Sequence, residues 1–128
     1  AAEWLVNNIL SNHANSGRWA NELCALIVSG TNANVLRPLL DSGNVESVTA
    51  AAFVLSETGA QSRVLLDYAL PLSRHPSKRI RAYMVDFISQ HGNTLSADIR
   101  QAVALLAADS EPEVRDYAVQ LFRRAGIA

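Results

Sequence analysis

The sequence predicts an all-α protein, a right-handed α-α superhelix (solenoid) of about four helical hairpins and eight helices. Three observations carry this. Apolar residues recur at helical spacing along the chain, and no stretch between turn signals alternates with the period of two that a strand needs. One helical pattern occurs four times, its anchoring residues Trp19, Val48, Ile80 and Val114 lying 29, 32 and 34 residues apart. Each copy follows a second apolar helical segment, and because one hairpin cannot bury both its faces, successive hairpins are expected to stack into a continuous core.

In chain order, the first unit (1–30) opens with a helix over 2–12 carrying Trp4, Leu5 and Ile9. Its second helix, "WANELCALIVSG", repeats Trp19, Leu23, Cys24 and Leu26 before Gly30. The second unit (31–59) pairs a helix over 32–41, with Val35, Leu36, Leu39 and Leu40, with "VTAAAFVLSETG", where Val48, Ala52, Phe53 and Leu55 precede Gly59. In the third (60–92), a helix over 61–73 carries Val64, Leu65, Tyr68 and Leu72, and "HPSKRIRAYMVDFISQHG" supplies Ile80, Met84, Val85, Phe87 and Gly92. The fourth (93–128) sets a helix over 95–108, with Ile99, Ala102, Val103 and Leu106, before "DSEPEVRDYAVQLFRRAG". There Ser110 and Glu113 have capping-box spacing, Pro112 suits a first turn, and Gly126 is placed to end the helix.

Composition fits a single folded domain: 128 residues, 49% apolar and 18% charged. No apolar run is long enough to span a membrane, and the first dozen residues, with Glu3, Asn7 and Asn8, lack a secretory layout. A single cysteine, Cys24, rules out an internal disulfide or a multi-cysteine zinc site and leans towards a reducing, cytoplasmic setting. Ala1 at the start and Met84 as the only methionine suggest a processed chain or a piece of a longer one. The net charge of −1 hides an asymmetry: residues 1–60 sum to −3 and residues 61–128 to +2.

The last two units resemble HEAT and HEAT-like repeats of the armadillo type, whose second helix begins with an acidic turn residue, a Pro, Val-Arg, a small pair and a Leu. Asp109, Pro112, Val114, Arg115, Ala118, Val119 and Leu121 match that pattern, as do Pro76, Ile80, Arg81 and Val85, with His75 in the acid's place. The first two units match in apolar spacing alone: Asp41 is offset by one residue, and Ala20 and Thr49 replace the arginine. The resemblance implies a structural ladder through Arg81, Asp109 and Arg115. It also implies that the second helices line a concave inner wall.

Stepping 100° per residue separates columns on those helices. Cys24, Phe53, Val85 and Val119, apolar in every unit, are assigned to the stack. The opposite columns give a partner-binding set: Val28, Ala50, Val54, Glu57, Ala82, Asp86, Asp116, Gln120 and Arg123. Val28 and Val54, apolar on the side expected to be exposed, favour a groove for another protein or peptide.

Chemistry is sparse. His13, His75 and His91 lack helical partners of ligand type, so no metal is expected. Cys24 reads as an inert core thiol, and Glu111 and Glu113 read as capping groups in preference to an acid–base pair. Trp4, Trp19, Tyr68, Tyr83 and Tyr117 sit at apolar helical positions and are expected in the core. No phosphate loop or nucleophile elbow is present, so neither catalysis nor a cofactor is expected. An alternative is a nucleic-acid module using Arg74, Lys78, Arg79, Arg123 and Arg124, although acidic residues are interleaved among them. Trp4 and Phe122 near the ends of the stack leave room for self-association.

Overall fold

The computed structural model describes residues 1–92 and 96–127, the His13 side chain excepted. The described residues are helical, with no strand among them. None of these helices is long and apolar enough to cross a membrane. The histidine reading of His13 and the expected helix start at Leu95 lie outside the described residues.

Four longer helices follow the repeated pattern: α2 (Ser16–Val28), α4 (Val45–Thr58), α6 (Lys78–Ser89) and α8 (Pro112–Arg124), numbered together with α1 (Ala2–Ser11), α3 (Arg37–Leu40), α5 (Leu66–Ala69) and α7 (Ala97–Ala107). They form a row in which α2 packs on α4, α4 on α6 and α6 on α8. Behind the row, α1 packs on α2, α3 on α4, a 3-10 turn at Leu70–Arg74 on α6, and α7 on α8. The main apolar core runs through both rows, from Leu5 and Ile9 through Leu23, Leu55 and Phe87 to Phe122, and Val48, Ala52 and Ile80 form a separate cluster.

The outer helices of the row end as the glycines suggest. After α2, Thr31 N–H reaches Leu26 O (3.0 Å) and Gly30 N–H reaches Ile27 O (3.1 Å), with Gly30 at φ 122°. After α8, Ile127 N–H reaches Phe122 O (2.9 Å) and Gly126 N–H reaches Arg123 O (3.1 Å), with Gly126 at φ 74°. Both are Schellman closures, in which a glycine at positive φ lets two N–H groups beyond the helix donate to last-turn carbonyls that would otherwise lack partners. Gly59 acts differently: the chain continues from it into a 3-10 segment (Gly59–Leu65), and a Cβ there would lie 1.8 Å from Gln90 Oε1. It is a point of close approach between the ends of α4 and α6.

The continuous helices expected over 32–41 and 61–73 are broken. The first becomes a 3-10 turn (Ala33–Leu36) and the short α3; the second becomes 3-10, α5 and 3-10 in succession. Pro38 and Pro71 stand in the first turns of new segments, where a missing N–H costs nothing. Non-helical backbone at Ser62 makes a further kink, and its hydroxyl meets Thr58 Oγ1 at 2.6 Å inside the core.

The capping box is also corrected. α8 starts after Glu111, and no side chain caps it; Asp109 Oδ1 instead accepts from Glu111 N–H at 2.9 Å. The same two-residue reach recurs before α4 and α6, from Ser42 Oγ to Asn44 N–H (3.2 Å) and from His75 Nδ1 to Ser77 N–H (3.0 Å). Three chemically different acceptors thus fold the same turn, which is why His75 can stand where an acid was expected.

Candidate functional site

The row helices expose a groove of about 600 Å3 that crosses the N-terminal halves of α2 and α4 and the start of α6. Its walls carry small residues, Gly17, Ala20 and Ala50, with Asn21 and Thr49 between them. Phe53 and Tyr83 line it as well, their rings edge to face at 5.8 Å, and Arg79 and Glu46 bring opposite charges. Small residues let a ligand approach the helix backbone, and the aromatic pair adds apolar contact.

Of the sequence-derived partner set, Ala50 alone lines this groove. Asn21 shares a column with Ala50, and both line the groove, although Ala50 is itself buried. Val54 is overturned as a contact residue: it is 0% exposed. α4 is clamped between α2 and α6, so it presents a narrower exposed strip than a helix with one free side, and Val54 falls into the core. Val28 is 56% exposed, but it lies at the far end of α2 from the groove. Ala82 is half-buried against the core. Asp116, Gln120 and Arg123 instead border a second groove of about 490 Å3 on α8, together with Arg115, Arg124, Val119 and Ala107.

Asp86 and Glu57 belong to a junction between helices. Tyr117 OH of α8 donates to the Asp86 carboxylate of α6. Burial pushes the Asp86 carboxyl up; the Tyr117 bond works against that, and the Glu57 charge adds to it. In turn burial, then the bond and charge of Asp86, push the Tyr117 phenol up to about 12. Burial and then the Glu57 charge push the Cys24 thiol up to about 11, so at neutral pH it is a thiol and a poor nucleophile.

The ladder residues fall as follows. Arg81 spans from α6 to the turn before α8 and binds Asp109 through two hydrogen bonds. Arg115, its counterpart on α8, lies 3.5 Å from the adjacent Asp116, and its charge also acts on Asp109.

The five basic residues of the nucleic-acid alternative occupy four different surroundings. Arg74 lines a cleft of about 250 Å3 with Asp67 and Asp98, beside the buried hydroxyl of Ser73, which has no hydrogen-bond partner among the described residues. Lys78 is held by Glu113 at 2.6 Å, Arg79 faces the first groove, and Arg123 and Arg124 face the second. Among the described residues no group of three or more His, Cys, Asp or Glu side chains could hold a metal ion. His91 is buried, its Nε2 3.0 Å from Gly59 O and its ring edge to face with Phe87 at 5.3 Å.

Two expected core aromatics are at the surface. Trp4 is 60% exposed and meets Trp19 edge to face at 6.3 Å, and Tyr68 is 38% exposed, bonded to Asp41 and covered by the Arg37 guanidinium at 4.4 Å. Column reasoning also placed Phe53 and Tyr83 in packing positions and passed over the groove they line. The available signal was the run of small residues at Gly17, Ala20 and Ala50, in line with Thr49. No protein-family model, curated protein or solved structure matches this chain.

Proposed function

We propose that this chain is a non-catalytic protein-interaction module of the HEAT-like kind, a short right-handed solenoid that binds a peptide or a segment of another protein in the groove across α2, α4 and α6. The observation that carries this reading is the Phe53–Tyr83 pair lining a groove of about 600 Å3 between small-residue walls, a size and chemistry suited to one or two apolar side chains of an extended or helical ligand. The fourfold repeat and the ordered row of α2, α4, α6 and α8 support the solenoid. The Arg79 charge at the α6 end of the groove would help to fix the ligand's direction. The scatter of Arg74, Lys78, Arg79, Arg123 and Arg124 over separate surroundings favours a protein ligand over a phosphate backbone.

The test is selection from a displayed peptide library, followed by affinity measurement against Asn21→Trp, which fills the groove, and Arg79→Glu, which reverses its charge. Ligands losing about tenfold or more in affinity to Asn21→Trp support the reading. Selected ligands that bind both variants like the parent protein refute the groove, and a preference for DNA with steep salt dependence favours the alternative.

A further inference from the structure

The cleft that holds Arg74 lies between backing segments and shares no lining residue with the groove across α2, α4 and α6. Its two walls are helical. Asp67, Leu70, Pro71 and Arg74 line one, and Asp98, Gln101, Ala102 and Leu105 line the other. Each set has the i, i+3, i+4, i+7 spacing of a single helix face.

Polar groups in these walls lack partners. Among the described residues the side chains of Asp67, Arg74 and Asp98 form no ion pair or hydrogen bond, so charges of both signs stand free in one cleft. Ser73, which also lines it, is 4% exposed, and its hydroxyl has no partner among the described residues. Serines near other helix ends avoid this by bonding back to a carbonyl, Ser29 to Ala25 O and Ser89 to Asp86 O, each at 2.8 Å. A buried hydroxyl left unpaired is costly, and a polar group seated in the cleft beside Ser73 removes that cost.

We propose that this cleft binds a free basic amino acid of the lysine or arginine type. Arg74 holds the α-carboxylate through its planar fork, Ser73 accepts from the α-ammonium, and Asp67 and Asp98, on opposite walls, hold the terminal cation. The charges match. Two carboxylates and one guanidinium leave one negative charge in excess, and such an amino acid carries one positive charge in excess. The spacing matches as well: Asp67 and Arg74 are two helical turns apart on one wall, roughly 10–14 Å of rise, which calls for a ligand whose opposite charges are separated by an aliphatic chain. Leu70, Pro71 and Leu105 give that chain apolar cover. At about 250 Å3 the cleft has room for roughly eight waters, hence for one small molecule and not for a peptide.

The test is calorimetric titration of the full chain with lysine, arginine, cadaverine and Nα-acetyllysine amide, with NMR shifts of the Gln101 and Leu105 amides locating the bound ligand. Lysine or arginine should saturate one site below about 10 mM. Cadaverine, which lacks the carboxylate, and the blocked lysine, which lacks both α-charges, should bind at least about tenfold more weakly. Asp98→Asn and Ser73→Ala should each weaken lysine binding about tenfold, with circular dichroism confirming that they are folded, and Asp67→Asn on the other wall replaces either one that is not. Ser73→Ala also separates binding from packing, because a serine that only packs alters stability and leaves affinity where it was. The proposal is overturned if neither amino acid binds up to about 10 mM, or if lysine binds the variants like the parent. Equal affinity for cadaverine overturns it by leaving Arg74 without a role, and equal affinity for the blocked lysine does so by marking a site for a lysine side chain of another protein.

Discussion

Arg81 grips Asp109 through two parallel hydrogen bonds, Nε to Oδ2 at 2.8 Å and Nη2 to Oδ1 at 3.1 Å, while its Nη1 donates to the carbonyls of His75 and Pro76. One guanidinium thus holds the turn before α6 and the turn before α8 in fixed relation. The fork is planar, so lysine cannot reproduce it.

Removing the carboxylate should therefore destabilise the chain. Asp109→Ala is expected to cost about 2–3 kcal/mol in chemical denaturation, with Arg81→Lys intermediate. Burial is the largest influence on the Asp109 carboxyl and would raise it, but bonds from Arg81 and Glu111 N–H, with the charges of Arg81 and Arg115, hold it below its ordinary 3.8. A depressed folded value means a contribution complete above 3.8 and lost as pH falls through the folded value. Asp109→Asn should flatten that part of the acid limb; an unchanged limb would assign it to other carboxylates.

Tyr117→Phe leaves the half-buried Asp86 carboxylate without its donor. Burial already raises this group, and losing the Tyr117 bond raises it further. A raised folded value makes the charged form costly, so the variant should lose about 1.5–3 kcal/mol at neutral pH and less in acid, where Asp86 is protonated. Equal losses at both pH values would show that the hydroxyl acts through packing alone.

His91 gives the opposite window to Asp86. Burial, outweighing the bond to Gly59 O, lowers it below its ordinary 6.5. The unfolded chain therefore takes the proton first, and stability should decline as pH falls below 6.5, by at most about 1.4 kcal/mol per pH unit from this residue. Comparing His91→Gln with the parent isolates this from His13 and His75; parallel curves would remove His91 from the account.

Val54→Lys and Val28→Lys separate two valines that the sequence treats alike. Val54 is 0% exposed and Val28 is 56% exposed. The first substitution buries an ammonium and should cost about 4 kcal/mol or more, while the second should stay within about 0.5 kcal/mol. Urea midpoints decide it, and similar midpoints would contradict the burial assigned to α4.

Helix positions and the row helices' pattern were readable because they depend on local spacing. α2, α4, α6 and α8 all lie where the repeat puts them. The groove was less readable because exposure on a row helix depends on its neighbours. A helix with two flanking helices, such as α4, hides a column that α2 leaves open, and sequence periodicity carries no record of that difference. The broken first segments were marked by Pro38 and Pro71, but apolar spacing alone suggested continuous helices.

Those breaks divide the chain mechanically. The row of α2, α4, α6 and α8 is built of full α-turns, whereas the backing segments of the middle units rest on 3-10 turns with poorer hydrogen-bond geometry. The amides of these middle backing segments should therefore exchange with solvent before those of α4 and α6.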